Sequence, residues 1–441
     1  MMHSRFFLWS TAALISAQGA NAADLPSRKA EPVSFVRVCS AYGAGYFYVP
    51  GSDTCLRLSG RVRADYMFIP GKTTYNGINT AGVPSLATHA DAQHLHGTEM
   101  RARFAFDART PTEYGTVQTV AQFRFARKGG VLQNATGSLN TSTSIDLEAA
   151  YVRFAGFTFG AAKDNFVFMD PKIFGDAYWG SFSKGAKQIA YTAVLPEGFS
   201  ATVALQDRID TAKSAGSAGV SGTYEVYSSL PQINANVNLD RSWGSIQLSG
   251  AYSNIALNKA DNSYDRSKDA FAAGVGLKIN LPVLAKGDVL WLTTNYSDGM
   301  SEYTALFLST KDERGIGGFF SSLRSYVTTP TGLQSVTSWN VAAALDHFWS
   351  PHYRSSFFGS FASLQAPSGA TAGAWNGSGF FGDATVWNAG ANFVWVPTRN
   401  FEIGAELIFA QLKQDVRAST LTAFNRSDSN WTGRLRVERN F

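Results

Sequence analysis

The chain has 441 residues, of which 16% are charged and 13% aromatic, with 41 Gly and only 14 Pro. That balance excludes an ordinary multi-domain cytosolic enzyme and points to a β-rich protein that tolerates exposed apolar surface. The formal net charge of +5 is mild, and no Lys/Arg-rich run marks a nucleic-acid surface.

Mean hydropathy is −0.10, too polar for a helical membrane protein. Beyond the N-terminus no run of about 18 apolar residues suggests a transmembrane helix. The N-terminus reads as an export signal. Arg5 supplies a positive start, residues 6–17 a short apolar stretch, and Ala20-Asn21-Ala22 a small-x-small cleavage site. Residues 1–22 are therefore expected to be removed, leaving one domain over 23–441. Next come the only two cysteines, Cys39 and Cys55. In an oxidising compartment a pair at this spacing closes a local loop. Two free, buried thiols are the other reading, and the disulfide is the one expected.

After Cys55 the chain becomes periodic with period two. Over 56–68, Leu56, Leu58, Val62, Ala64, Tyr66 and Phe68 alternate with Arg57, Ser59, Arg61, Arg63 and Asp65. A strand sends successive side chains to opposite faces, so this segment separates an oily environment from a wet one. The pattern returns at 99–109, where Met100, Phe104 and Phe106 oppose Arg101, Arg103 and Arg109. It recurs at 116–125, 233–239, 271–281, 401–409 and 431–441. Alternation also occurs in soluble sandwiches. Here the polar face is charged in strand after strand, which suits a water-filled lumen and not a packed core. Aromatics such as Tyr66, Phe68, Tyr252, Tyr296, Trp395, Phe401 and Trp431 gather where membrane-interface girdles belong.

The connections alternate between long and short. Long gaps fall at 69–98, 127–144, 162–186, 208–231, 254–268, 298–336, 364–383 and 411–428. Tight turns fall near Glu113, Ala155-Gly156, Glu197, Arg241, Gly287, Pro351 and Thr398. This is the meander of an outer-membrane barrel of about sixteen antiparallel strands. Closure removes exposed edges and satisfies the backbone in lipid. The final strand, ending at Phe441, is then the partner of the first.

Val36-Arg37-Val38-Cys39-Ser40-Ala41-Tyr42-Gly43-Ala44-Gly45-Tyr46-Phe47-Tyr48-Val49-Pro50-Gly51, with Asp53-Thr54-Cys55-Leu56-Arg57, closely resembles the alphaproteobacterial porins of the Brucella and rhizobial type. Ala150-Tyr151-Val152-Arg153-Phe154-Ala155-Gly156-Phe157-Thr158-Phe159-Gly160, Gln188-Ile189-Ala190-Tyr191-Thr192 and Trp243-Gly244-Ser245 carry the resemblance further. It implies a sixteen-stranded diffusion porin of the outer membrane, assembled as a homotrimer among lipid and lipopolysaccharide. It also implies a third external loop that folds inward to narrow the pore, passing small hydrophilic solutes and ions without a cofactor.

For such a channel the chemistry is an electrostatic filter. Closure sets Arg434 and Arg436 beside Arg61 and Arg63, and these beside Arg101 and Arg103, as a basic patch on the lumen wall. Arg57, Arg109, Arg124 and Arg153 extend it. The inferred inward loop, 162–186, carries Asp164, Asp170 and Asp176, with Lys163, Lys172 and Lys184 among them. Acids facing arginines across a constriction would make a transverse field. His89, His94 and His96 with Asp91 have metal-like spacing but no preset geometry, so no metal site is expected. An enzyme would need a nucleophile beside a base, and no Ser motif approaches His347 or His352. A sugar-specific channel would show an aromatic ladder, yet Trp291 and Phe358 stand nearly alone on the lumen phase.

Overall fold

In the computed structural model of the chain, the described residues are 37–68, 74–78, 84–88, 96–130, 142–174, 185–207, 224–227, 230–259, 265–304, 326–329, 332–367, 382–416 and 424–441. The expected signal segment, His89, His94, Asp176 and Lys184 lie outside them.

Alternating sequence demands a sheet with unlike faces, and the chain meets that demand with sixteen barrel strands. The first eight are β1 (Cys55–Phe68), β2 (His96–Thr112), β3 (Gly115–Gly130), β4 (Ser142–Phe154), β5 (Phe157–Ala162), β6 (Ala186–Val194), β7 (Phe199–Gln206) and β8 (Gln232–Arg241). The rest are β9 (Gly244–Lys259), β10 (Asp265–Asn280), β11 (Val289–Asp298), β12 (Thr337–Ser350), β13 (Tyr353–Gln365), β14 (Ala384–Thr398), β15 (Phe401–Val416) and β16 (Phe424–Asn440). Each pairs antiparallel with its neighbours in sequence. β16 returns to β1, with Arg61 opposite Asn440 and Phe68 opposite Gly433. The barrel closes. Two short strands extend the same sheet, Tyr46–Tyr48 along the start of β1 and Tyr224–Tyr227 along the end of β9.

Phe441 completes the closure. Its N–H donates to the Gly60 carbonyl at 3.0 Å and its carbonyl accepts from Gly60 N at 2.9 Å. The ring lies where a Gly60 side chain would stand, edge-on to Phe104.

The outer face carries the apolar phase. Val62 and Met100 are each 53% exposed and Leu407 is 50% exposed. In water such a band would cost roughly 25 cal/mol per Å²; in hydrocarbon it costs nothing. Tyr66, Tyr252, Tyr296, Trp395 and Trp431 are exposed along it.

The seven tight turns fall within a residue or two of the expected places. Between β4 and β5, Ala155 (φ 48°) and Gly156 (φ 85°) form a two-residue hairpin of left-handed conformation. At the other end the strands run further than alternation indicates. Trp431 packs on Phe409 in mid-strand, and the ladder continues to Val416 opposite Phe424. Above the lipid both faces meet water, so periodicity ends while hydrogen bonding does not. The long gaps at 69–98 and 298–336 also contain hairpins of their own, Thr74–Ile78 with Pro84–Thr88 and Tyr326–Thr329 with Gly332–Ser335.

Candidate functional site: the constriction of the lumen

The segment after β5 folds into the barrel and follows its inner wall. Asp164 starts it. One carboxyl oxygen accepts from Phe166 N (2.8 Å), Asn234 Nδ2 (2.9 Å) and Gln206 Nε2 (3.4 Å), and Tyr303 Oη donates to the other at 3.2 Å. The carbonyl of Phe166 then accepts from Gln247 and Ser249 of β9 at 3.2 and 3.1 Å. Further on, Lys172 N donates to Asp346 of β12 at 3.0 Å. Its carbonyl accepts from Arg354, Ser356 and Asn392 at 3.2, 3.0 and 2.8 Å. Phe174 N donates to Glu406 of β15 at 2.6 Å. Its carbonyl accepts from Arg434 and Arg436 of β16 at 3.1 and 3.0 Å. Wall side chains thus replace water for a loop backbone that has no ladder, each bond contributing about 1 kcal/mol.

The loop side chains have seats. Phe166 and Phe168 lie over Gly274 and Gly276 of β10, and Phe174 lies over Gly404 of β15, where an added methyl would meet its ring at 2.7 Å. Met169, Phe168 and Ile173 pack with Ala342, Ala344, Phe358, Ile408 and Trp291. A small apolar core therefore sits inside the barrel, between loop and wall. The inner face where the loop lies combines small or apolar seats with the polar side chains that hold the loop backbone.

On β1–β4, away from the contacts made by loop residues 163–174, the arginines do not stand alone. Arg101 meets Glu99 at 2.7 Å, Arg103 meets Glu148 at 2.5 Å, and Arg124 meets Asp146 at 2.5 Å and Glu148 at 3.5 Å. Arg61 lies 3.5 Å from Glu438. Arg63 lies 3.1 Å from Asp65, which also accepts from Arg436 Nε and Nη2 at 2.6 and 2.9 Å.

Of the six arginines expected to form the basic patch, Arg61, Arg101 and Arg103 are half-buried in the β1–β2 wall. Arg63, Arg434 and Arg436 are each 7% exposed; the last two are spent on the loop backbone and Asp65. The patch is corrected to a lattice of arginines with nearly as many carboxylates. Asp65 and Glu99 stand two residues from Arg63 and Arg101, hence on the same strand face, so the sequence held the signal. Glu148 did not announce itself. A bulge sets Gln122 opposite Ala149 but Phe123 opposite Leu147, inserting Glu148 into the inward phase.

Of the three loop acids, one is corrected. Asp164 is 4% exposed and bound to the wall, because burial in a nest of donors holds it away from the gap. Burial pushes its carboxyl up, against the opposing pull of Phe166 N, Gln206, Asn234 and Tyr303. Asp170 is exposed on the loop, between exposed Lys163 and Lys172. Tyr303, from a short turn at Ser301–Thr304, is an anchor that no sequence pattern indicated. Cys39 and Cys55 are bonded, with Cα atoms 6.0 Å apart. His96 opens β2 and stacks on Tyr66, and among the described residues no group of three or more His, Cys, Asp and Glu is arranged to hold a metal.

A closed strand barrel with an apolar belt and a wet, narrowed interior defines an outer-membrane channel. The chain belongs to the porin subfamily, whose family model matches residues 24–434. Porin Omp2a of Brucella ovis is 34% identical over 267 residues, 56% of this chain and 69% of that protein. Porin Omp2b of Brucella suis biovar 1 is 34% identical over 261 residues, 56% of this chain and 65% of that protein. Among solved structures, the outer membrane channel DcaP of Acinetobacter baumannii superimposes with a TM-score of 0.59 at 18% identity, covering 90% of this chain and 99% of its own. At that identity the likeness concerns the fold. Family membership speaks for a channel rather than an enzyme.

Proposed function

We propose that small hydrophilic solutes and ions diffuse passively through the gap between the inward loop and the charged wall of β1–β4. One observation carries this reading: residues 163–174 of the loop are fastened along β7–β9 and β12–β16, while Arg61, Arg101, Arg103 and Arg124 stay half-buried on the inner face of β1–β3. The acids proposed to oppose Arg61, Arg101 and Arg103 are Asp170 and Asp176. Near-balance of charge on the wall argues for weak ion selectivity.

A sugar-specific channel is less well supported. Phe358 is buried beneath the loop, and Trp291 packs on Phe168 and donates to Asp346 at 3.1 Å, so neither offers a face to a sliding solute. The proposed assembly is a homotrimer. β5 has six residues and rises only about 15 Å when tilted, short of a belt about 25 Å tall; a partner subunit over that sector would supply the missing cover. The family match beginning at residue 24 supports a cleaved signal over 1–22. Swelling of liposomes carrying the protein tests the function. Rates should fall smoothly with solute mass and rise linearly with concentration. Saturation by one solute would overturn the reading.

A further inference from the structure

The arginines of the β1–β4 wall named above are matched by carboxylates, but Arg153 and Lys163 are not. Arg153 faces inward on β4, opposite Gln118, with its guanidinium 4.7 Å from the Tyr151 ring centroid. Lys163 opens the inward loop and is exposed; its backbone is held by Gln188, which donates to the Lys163 carbonyl at 3.1 Å. Among the described residues neither has a carboxylate within ion-pair distance.

Both line one cavity of about 680 Å³, shared with Arg109, Gln118, Gln188 and Tyr42. It lies toward the tight-turn end of the barrel, on the periplasmic side of the loop, and no carboxylate is among its lining residues. Arg109 pairs with Asp107 at 3.0 Å and stacks over Tyr42 at 5.5 Å. Tyr42 is set there by the disulfide-closed segment, through its ring contact with buried Tyr46 and its hydroxyl contact with Thr116. One wall of the cavity is thus built by the Cys39–Cys55 loop.

Two cations without a carboxylate partner in one concave site concentrate anions. The volume suits a small molecule. We propose that this cavity binds small dianions bearing oxyanion groups, as carboxylates or as phosphate, on the periplasmic side of the constriction. The proposal rests on the channel reading and places the anion site away from the arginine lattice.

The test is block of the single-channel potassium chloride current at low salt, by succinate and separately by inorganic phosphate. Wild-type protein should be blocked by at least one, which also names the source of the oxyanion. In Arg153→Gln/Lys163→Gln the half-blocking concentration should rise about tenfold or more. Lys278→Gln, which removes a lumenal cation stacked on Trp291, should leave it within about twofold. Wild-type channels that conduct but are blocked by neither anion overturn the proposal. So does equal weakening in both variants, since that reports the general lumen potential. Absence of any chloride current would instead contradict the channel reading.

Discussion

Asp164 shows what a single side chain does here. It gathers donors from the loop, β7, β8 and the turn after β11, partners 42 to 139 residues away except for Phe166. Asp164→Ala strands those donors, at about 1–3 kcal/mol for each left unsatisfied. The loop should undock and conductance should rise. Asp164→Asn keeps an acceptor oxygen and should stay near wild type. The raised carboxyl also carries a pH sign. An acid that holds its proton more tightly when docked stabilises docking fully below the ordinary carboxylate range, and that contribution is lost as pH rises through the raised value. Current noise from loop motion should therefore grow from acid toward neutral pH in the wild type, and that component should be absent in Asp164→Asn. Little of this was legible in the sequence. Period two places a residue on a face, and Asp65 and Glu99 follow from it. Asp164 lies outside any strand, so its partners depend on where the loop lands.

At the scale of elements, the loop is held by shape as well as by bonds. Gly276 leaves the space that Phe168 fills. Gly276→Leu should expel that ring, loosen the segment through Phe174, and raise or destabilise the single-channel current with the barrel intact. A current indistinguishable from wild type would show that the seat is not needed. The disulfide works on another element, the segment that packs Tyr46 against Asp107 through a 2.6 Å hydrogen bond. Closing 16 residues of chain contributes about 3 kcal/mol by chain entropy. Cys39→Ser/Cys55→Ser should unfold at lower temperature while keeping strand content by circular dichroism. Strand number, tight turns and the Cys pair were readable because each follows from local chemistry. Upper strand ends were not, because above the lipid no apolar face marks them, as at Lys413 opposite Ser427.

For the molecule as a whole, closure turns sixteen two-faced strands into one boundary between lipid and water. Residues 163–174 of the inward loop then pack against one side of the interior. The side formed by β1–β4 is lined by guanidinium–carboxylate pairs, so removing either partner should expose the charge of the other. The central claim is that this lattice borders the ion path, and reversal potential in a potassium chloride gradient tests it most directly. Glu148→Gln should shift the potential toward anions, because Arg103 and Arg124 lose their partner. Arg103→Gln should shift it toward cations, and the double variant should return near wild type. The shifts should fade at about 1 M salt, where the screening length is about 3 Å. Opposite shifts that cancel in the double variant are the predicted result. Identical potentials in wild type and all three variants, with barrels intact, would contradict the account.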